Sequence, residues 1–208
     1  MRESLLDCAV DHFGRFGFEG AATRKIAADC GTAMSSITYH FGSKEDLYLA
    51  AAEHIAAQMS EHHRPALEAI ASASVDTQEA SVERLVNLLD ALAATMLGAK
   101  SASWTRFITR EQQEPTEAFD RIYAVAMRPM TEAFIPLIAT ARPDLTESEQ
   151  RATGFLLFGQ ALALRAARAS LCRVMGLAKL DAEAELLLRR RLAAHTRAIL
   201  SAEPEILP

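Results

Sequence analysis

Apolar residues recur along this chain three and four positions apart, and no useful length alternates apolar with polar, so the pattern predicts helices throughout. A first helix over about 2–16 faces Leu6, Ala9, Val10, Phe13 and Phe16 inward and closes in a cluster of Gly14, Gly17 and Gly20. A long helix opening at Lys44 carries Leu47, Ala51, Ile55 and Met59 on one side and runs on, kinked at Pro65, toward Ile70. Residues 71–79 read as a small, polar loop. Helices follow over about 80–97, with Leu85, Leu88, Leu89, Leu92 and Met96 on one stripe and a break at Gly98, then over 104–113 and 117–127. Pro129 starts the next, bent at Pro136 and ending near Ala141. A helix begins after Thr146, with Glu147 and Glu149 in its first turn, and runs to about Arg173. Gly176 ends that stretch, and a last helix fills 181–200. With two short helices between 23 and 41, the chain is expected to be all-α, with about nine helices.

Between 23 and 46 the elements shorten. Thr23 suits a helix N-cap, and Ile26, Ala27 and Cys30 fall on one face. Gly31 stands where the chain must leave that helix with positive φ. Ala33, Ile37 and Phe41 then recur every fourth residue, so a second short helix buries one stripe and turns Met34, Ser35, Thr38 and Tyr39 the other way. Gly42 stops it, and Ser43 with Asp46 supplies a cap and a capping-box carboxylate for the long helix. This is a helix-turn-helix, which lays its second helix in a DNA major groove. Tyr39 is assigned to phosphate, Met34 to apolar contact with a thymine methyl, and Ser35, Ser36 and Thr38 to close contacts with base edges or phosphate. Lys44 opposes the macrodipole of its helix by roughly 0.3–1 kcal/mol, a placement that a DNA phosphate would relieve. Thr23, Arg24 and His40 complete the DNA-facing set. The second helix holds no Arg, Asn or Gln, so no bidentate base code can be written for it.

This spacing resembles the TetR family of bacterial repressors, whose pattern runs T-x-x-I-A, then A-G-V-S, then L-Y-x-H-F-x-x-K-E-x-L. Here it reads Thr23, Ile26, Ala27, Cys30-Gly31-Thr32-Ala33, Ile37-Thr38-Tyr39-His40-Phe41 and Lys44-Glu45-Asp46-Leu47. The chain departs from it at Ala33, where a polar N-cap is usual, a loss of roughly 1 kcal/mol unless Thr32 takes the role. It departs also at Thr38, often tyrosine, and at Ser35, usually glycine. These changes bear on the operator sequence. Downstream, Phe107–Thr116 (FITREQQEPT) and Gly159–Arg168 (GQALALRAAR) are similar to the C-terminal domain of the CecR-like branch. The resemblance implies a homodimer joined through the last two helices.

Composition narrows the classes further. Of 208 residues, 50% are apolar and 24% charged, so the chain is globular and large enough for a sizeable core. The net charge is −5, and residues 1–50 carry five cations against seven carboxylates. Non-specific attraction to DNA should therefore be weak, and affinity must come from the placement of a few cations and dipoles. Cys8, Cys30 and Cys172 are widely spaced on apolar stripes and read as small buried hydrophobes. His54, His62 and His63 lack a partner at one-turn spacing, so no metal or cofactor is expected. No nucleophile elbow, phosphate loop or acid–base pair suggests an enzyme. Met1 leads straight into an amphipathic helix and the longest apolar run, 154–164, is too short for a bilayer, so a cytoplasmic chain without a membrane partner is expected.

Aromatic residues fall in two groups, 13–48 and 104–158, with none at 49–103 or 159–208. The first suits the core of a small domain. The second is either another core or a lined cavity for an effector. Read as a pocket, it comprises Trp104, Phe107, Phe119, Tyr123, Phe134, Phe155 and Phe158, with Arg106, Arg110, Glu111 and Gln160 as polar anchors. Arg106, Arg110, Arg165 and Arg168 could instead pair with Glu111 and Glu114. Small residues Gly159, Ala163 and Ala167 permit close helix approach, and with Leu188 and Leu192 they form the expected dimer interface. The expected organisation is a helix-turn-helix domain over 1–48 and an effector-binding and dimerisation domain over 49–208. The expected function is a homodimeric regulator, a repressor released from a palindromic double-stranded DNA operator by a small apolar or aromatic ligand. Two other readings stay open: an effector-free DNA-binding dimer, and a helical ligand-binding or enzymatic protein whose helix-turn-helix is vestigial.

Overall fold

The helical periods become helices wherever a cap or a glycine frames them. The computed structural model describes residues 1–72, 77–99 and 101–201. Among these are eleven α-helices and no strand: α1 (Arg2–Gly20), α2 (Thr23–Asp29), α3 (Met34–Phe41), α4 (Lys44–Ala71), α5 (Gln78–Leu97), α6 (Ser101–Gln113), α7 (Glu117–Ile122), α8 (Arg128–Ala141), α9 (Glu147–Ala166), α10 (Arg168–Val174) and α11 (Ala182–Leu200). A wide π-type turn, Tyr123–Met127, joins α7 to α8. The chain is all-α as expected. The single helix expected over 147–173 is two, bent by 83° at Ala167. The bend carries Leu171, Cys172 and Met175 back onto apolar neighbours that a straight helix would leave. Part of the expected loop, 73–76, lies outside the described residues.

Two compact units divide the chain. The first comprises Met1–His62 and Ala99–Arg128, the second His63–Gly98 and Pro129–Pro208.

In the first unit, Leu5, Leu6, Ala9, Val10 and Phe13 of α1 meet Ile26, Ile37, Leu47, Ala51 and Ile55, with Trp104, Phe107 and Ile108 of α6 in the same core. Tyr48 is its centre: the Phe13 ring meets it edge-on at 4.8 Å, Phe18 at 5.2 Å, and Phe107 stacks on it at 4.7 Å. Phe16 does not face inward as expected; it is 55% exposed. Gly17 adopts φ 73°, which breaks the α-helical course of α1 and swings Phe18 into the core instead.

In the second unit, the stripe expected on α5 is buried, with Leu85, Leu88, Leu89 and Leu92 at most 1% exposed. Burial of each such side chain is worth roughly 1.5–3 kcal/mol. They pack with Phe134, Leu137 and Ile138 of α8, Leu157 and Phe158 of α9, and Leu192 and Leu200 of α11. Thr146 and Glu149 start α9 with a full capping box. Arg165 closes α5: its Nε donates to the Met96 carbonyl at 2.7 Å and its Nη2 to those of Leu97, at 2.9 Å, and Gly98. Arg168 adds a bond to Leu97 at 3.0 Å. These guanidiniums satisfy carbonyls that every helix end leaves open, where the macrodipole favours a cation. They pair with neither Glu111 nor Glu114.

The stretch Glu117–Ala141 is long and apolar enough to cross a membrane by length and composition, which corrects the expectation that no segment is. Its Ile122 and Ala126 lie in the first core and its Phe134 and Ile138 in the second, so those apolar positions are used inside the protein.

Arg165→Met keeps the aliphatic stem and removes the donors. It should lower the unfolding free energy by about 1–3 kcal/mol in urea titrations, and an unchanged midpoint would mean that Arg168 alone holds the end of α5.

Candidate nucleic-acid interface

The helix-turn-helix is built from backbone geometry as much as from side chains. Ala22, and not Thr23, is the N-cap of α2, with no side-chain bond; Thr23 is the helix's first residue. At the other end Gly31 has φ 70°, and the amides of Gly31 and Thr32 bond back to Ala28 at 3.0 Å and Ala27 at 2.9 Å. This double closure is what a left-handed residue after a helix provides.

Ala33 caps α3 without any side-chain bond. Thr32 does not replace the missing cap, because its hydroxyl donates to Ser36 Oγ at 2.9 Å. Of the expected buried stripe, Ile37 is 2% exposed and Phe41 half-buried, while Ala33 is exposed because it stands outside the helix. The opposite face is open. Met34 is 44% and Tyr39 85% exposed, and Ser35 and Thr38 lie between them in solvent. Ser36 is half-buried, and His40 sits half-buried between the rings of Tyr39 and Phe41. Ser43 and Asp46 cap α4 reciprocally: the Asp46 amide donates to Ser43 Oγ at 3.0 Å, and the Ser43 amide donates to the carboxylate at 3.1 Å. The Ser43 hydroxyl and amide hold that carboxyl below the usual carboxylate range.

The charges are sorted. Asp7 accepts from His54, Asp11 from Arg15 and Arg106, and Asp29 from Lys25 and His12. Among the described residues Arg2, Arg24 and Lys44 have no carboxylate partner. Lys44 Nζ lies 4.6 Å over the Phe18 ring and donates one bond, at 3.3 Å, to the Glu19 carbonyl. Cys8 and Cys30 are half-buried free thiols against the same core. Burial first, then hydrogen bonding to Cys30 and the nearby Asp7 and Asp29, push the Cys8 thiol up to about 12, which makes it a poor nucleophile.

The residues expected to line a pocket are divided. Trp104, Phe107, Phe119 and Tyr123 belong to the first unit, Phe134, Phe155 and Phe158 to the second. Phe107 and Phe134 fill cores at no more than 1% exposure, whereas Phe155 is 70% exposed. Gln160 is half-buried on α9. Arg106 pairs with Asp11, and Arg110 donates to the carbonyls of Gly14 at 3.1 Å and Arg15 at 3.0 Å, holding α1 before its break.

Glu111 is a buried hub. At 3% exposure its carboxylate accepts from Tyr48 Oη at 2.5 Å, the Thr116 hydroxyl at 2.8 Å and amide at 3.2 Å, and the Phe119 amide at 3.0 Å. The last two amides open α7, where the helix dipole favours an anion. Sequence reasoning missed this role. The signal was the stripe Trp104–Phe107–Ile108–Glu111, which places the carboxylate on the buried side of α6. An open groove of about 710 Å³ in the second unit is lined by Gln78, Glu83, Arg142 and Arg197 among others, and by none of these aromatics.

Of the expected dimer residues, Ala163 and Ala167 are exposed, and a Cβ added at Gly159 would meet nothing within 4 Å. Leu192 faces its own core at 6% exposure, with Leu188 half-buried beside it. The outward leucines of α11 are Leu186 and Leu187.

Residues 5–51 match the tetR family of bacterial regulatory proteins, and residues 81–203 match the C-terminal domain of the HTH-type transcriptional dual regulator CecR. CecR of Shigella flexneri is 30% identical over 96% of this chain and 91% of its own length. The chain belongs to the TetR family. It is a DNA-binding regulator of transcription and not an enzyme. The HTH-type transcriptional repressor AcnR of Corynebacterium glutamicum is 40% identical over 60 residues, 29% of this chain and 32% of its own. The regulator FadR of Bacillus subtilis, solved in complex with stearoyl-CoA, has the same fold at 16% identity, with a TM-score of 0.64 over 98% of this chain and all of that one.

Within this TetR-family chain, Tyr48→Phe removes one of four donors to a buried carboxylate and should cost about 1 kcal/mol of stability, while Glu111→Leu orphans two hydroxyls and two amides and should cost about 3 kcal/mol or more. Equilibrium unfolding of the two variants checks the order, and equal losses would contradict the hub.

Proposed function

We propose that this TetR-family protein is a homodimeric repressor that binds a palindromic operator through α3 and is released by a small, largely apolar or aromatic molecule. The observation that carries the DNA assignment is the open face of α3. An aromatic ring 85% exposed has no use inside its own unit, and its hydroxyl is free to donate to a phosphate. Lys44 makes a single hydrogen bond from an ammonium that offers three, so it can reach a phosphate while still seated on Phe18. Thr23, Arg24, Met34, Ser35, Thr38 and His40 complete the proposed surface. Two such helices about a two-fold axis would address half-sites roughly 34–36 Å apart.

The dimer is supported by exposed apolar side chains on α9 and α11, with Phe155 and Leu156 at 70% and 66% and Leu186 and Leu187 near half. Repression is supported by the AcnR relative, and effector release by the acyl-CoA of the FadR complex. A regulator of this kind acts in the cytoplasm. A second reading, an effector-free dimer, is favoured by Phe107 and Phe134, which fill cores where a cavity was expected.

Sequencing the genomic fragments that the purified protein selects tests the whole proposal, and a palindrome is the expected result. Tyr39→Phe and Lys44→Ala should weaken operator binding without changing the preferred sequence, and Lys44→Ala should reduce the slope of log affinity against log salt by about one. Unchanged affinity and slope for Lys44→Ala would remove it from the interface. Ala163→Arg should sediment as a monomer, because dimerisation would bury an unpaired charge; a dimer would move the interface off α9. An effector at a hundred times its dissociation constant should raise the unfolding free energy by about 2.7 kcal/mol and release the operator, whereas a broad screen without hits would favour the effector-free reading.

A further inference from the structure

Arg2 occupies an odd place for a cation. It stands in the first turn of α1, where the macrodipole disfavours positive charge, and it has no carboxylate partner among the described residues. What holds it is a ring. Its guanidinium lies 5.2 Å over Phe41, the last residue of the recognition helix α3. Phe41 is half-buried and packs against the core of the first unit, so the ring that seats the arginine is itself held in place. Tyr39, His40 and Phe41 are in successive ring contact, at 5.0 and 6.2 Å, so Arg2 ends a row that begins at the most exposed aromatic of α3.

From this arrangement we infer that Arg2 is a further DNA-positioning residue, a phosphate clamp that α1 contributes beside the C-terminal end of α3. The ring contact holds the guanidinium over Phe41 without a hydrogen bond, because a cation–π contact uses the charge and leaves the N–H donors for other partners. A phosphate with two oxygens in reach can then be met bidentately, with less side-chain freedom to lose than for a free arginine. The contact positions α3 and carries no base information. Lys44 on Phe18 repeats the device at the start of α4, where again a cation lies against an aromatic ring in a first helical turn. The inference rests on the proposed DNA face of α3 and adds a residue that the helix-turn-helix pattern does not contain.

The test uses the full-length protein and the DNA it selects. Arg2→Gln keeps a polar side chain with N–H donors and removes the charge, and it should weaken binding to operator and to unrelated duplex in the same proportion. The slope of log affinity against log salt should fall by about one. Arg2→Lys should restore the slope, since the charge returns, while recovering only part of the affinity. Phe41→Leu keeps an apolar residue against the core but removes the ring, and in that background Arg2→Gln should have a smaller effect than alone. Thermal unfolding of each variant separates a folding defect from a binding one: a salt slope that falls by one with an unchanged midpoint supports the clamp. A wild-type slope for Arg2→Gln, while Tyr39→Phe still weakens binding, overturns the clamp and leaves the α3 reading in place. Wild-type protein that selects no DNA overturns both.

Discussion

A carboxylate inside an apolar core is tolerated only where donors surround it, and the first unit is arranged around that requirement. Leaving Glu111 without partners would cost several kcal/mol, so its four bonds are a condition of folding the unit at all. They fix α7 by its first amides, the turn before it by Thr116, and α4 by Tyr48. Burial and the hydrogen bond to Glu111 push the Tyr48 hydroxyl above the ordinary phenol range, so it remains a donor. The same ring meets Phe13, Phe18 and Phe107, which ties α1, α4 and α6 to one side chain. Arg110, one residue before Glu111, holds α1 at the carbonyls just ahead of Gly17. Adjacent residues of opposite sign on one helix thus define the frame that carries α2 and α3.

Net charge is a poor guide to this surface. A chain at −5 would repel DNA if its charges were spread evenly. They are not. Four aspartates of the first unit are occupied by His54, by Arg15 and Arg106, by Lys25 and His12, and by the Ser43 cap. The exposed pairs among them add little stability; their consequence is that each negative charge has a cation or donor beside it. Arg2 and Lys44 are held instead by rings, which do not neutralise them. Arg2 beside α3 and Lys44 at the start of α4 thus keep their charge available to a phosphate, a placement that a residue count cannot represent.

How much of this was legible depended on whether an element announces itself locally. The short helices, the positive φ of Gly31, the Ser43–Asp46 cap and the α5 leucine stripe all follow from residues within a few positions of each other. Most misplaced features depended on packing or on residues far apart in the sequence. Phe16 was placed inward as the last position of the helical period, whereas the break at Gly17 gives the core to Phe18. The 147–173 helix bends at Ala167 with no proline or glycine to mark it, because packing of Leu171 and Met175 decides the turn. Arg165 was read as a possible partner of Glu111 or Glu114, because the α5 carbonyls that it serves lie nearly seventy residues away. Glu111 was legible in principle, since it continues an apolar stripe, but only the fold supplies Tyr48 as its partner.

The two apolar stripes of α11 show how one pattern serves two purposes. Ala184, Leu188, Leu192, Thr196 and Leu200 recur every fourth residue and turn toward the core of the second unit. Leu186 and Leu187 lie off that line and are about half exposed, and Phe155 and Leu156 on α9 are about two-thirds exposed. Covering one such side chain is worth roughly 1.5–3 kcal/mol, while association costs an estimated 4–15 kcal/mol before any contact is made. Four side chains covered once would therefore leave a marginal complex. In an isologous two-fold interface every residue is buried on both protomers, which doubles the gain without adding a residue. That doubling is the physical argument for the proposed homodimer: a self-complementary patch uses each exposed apolar side chain twice.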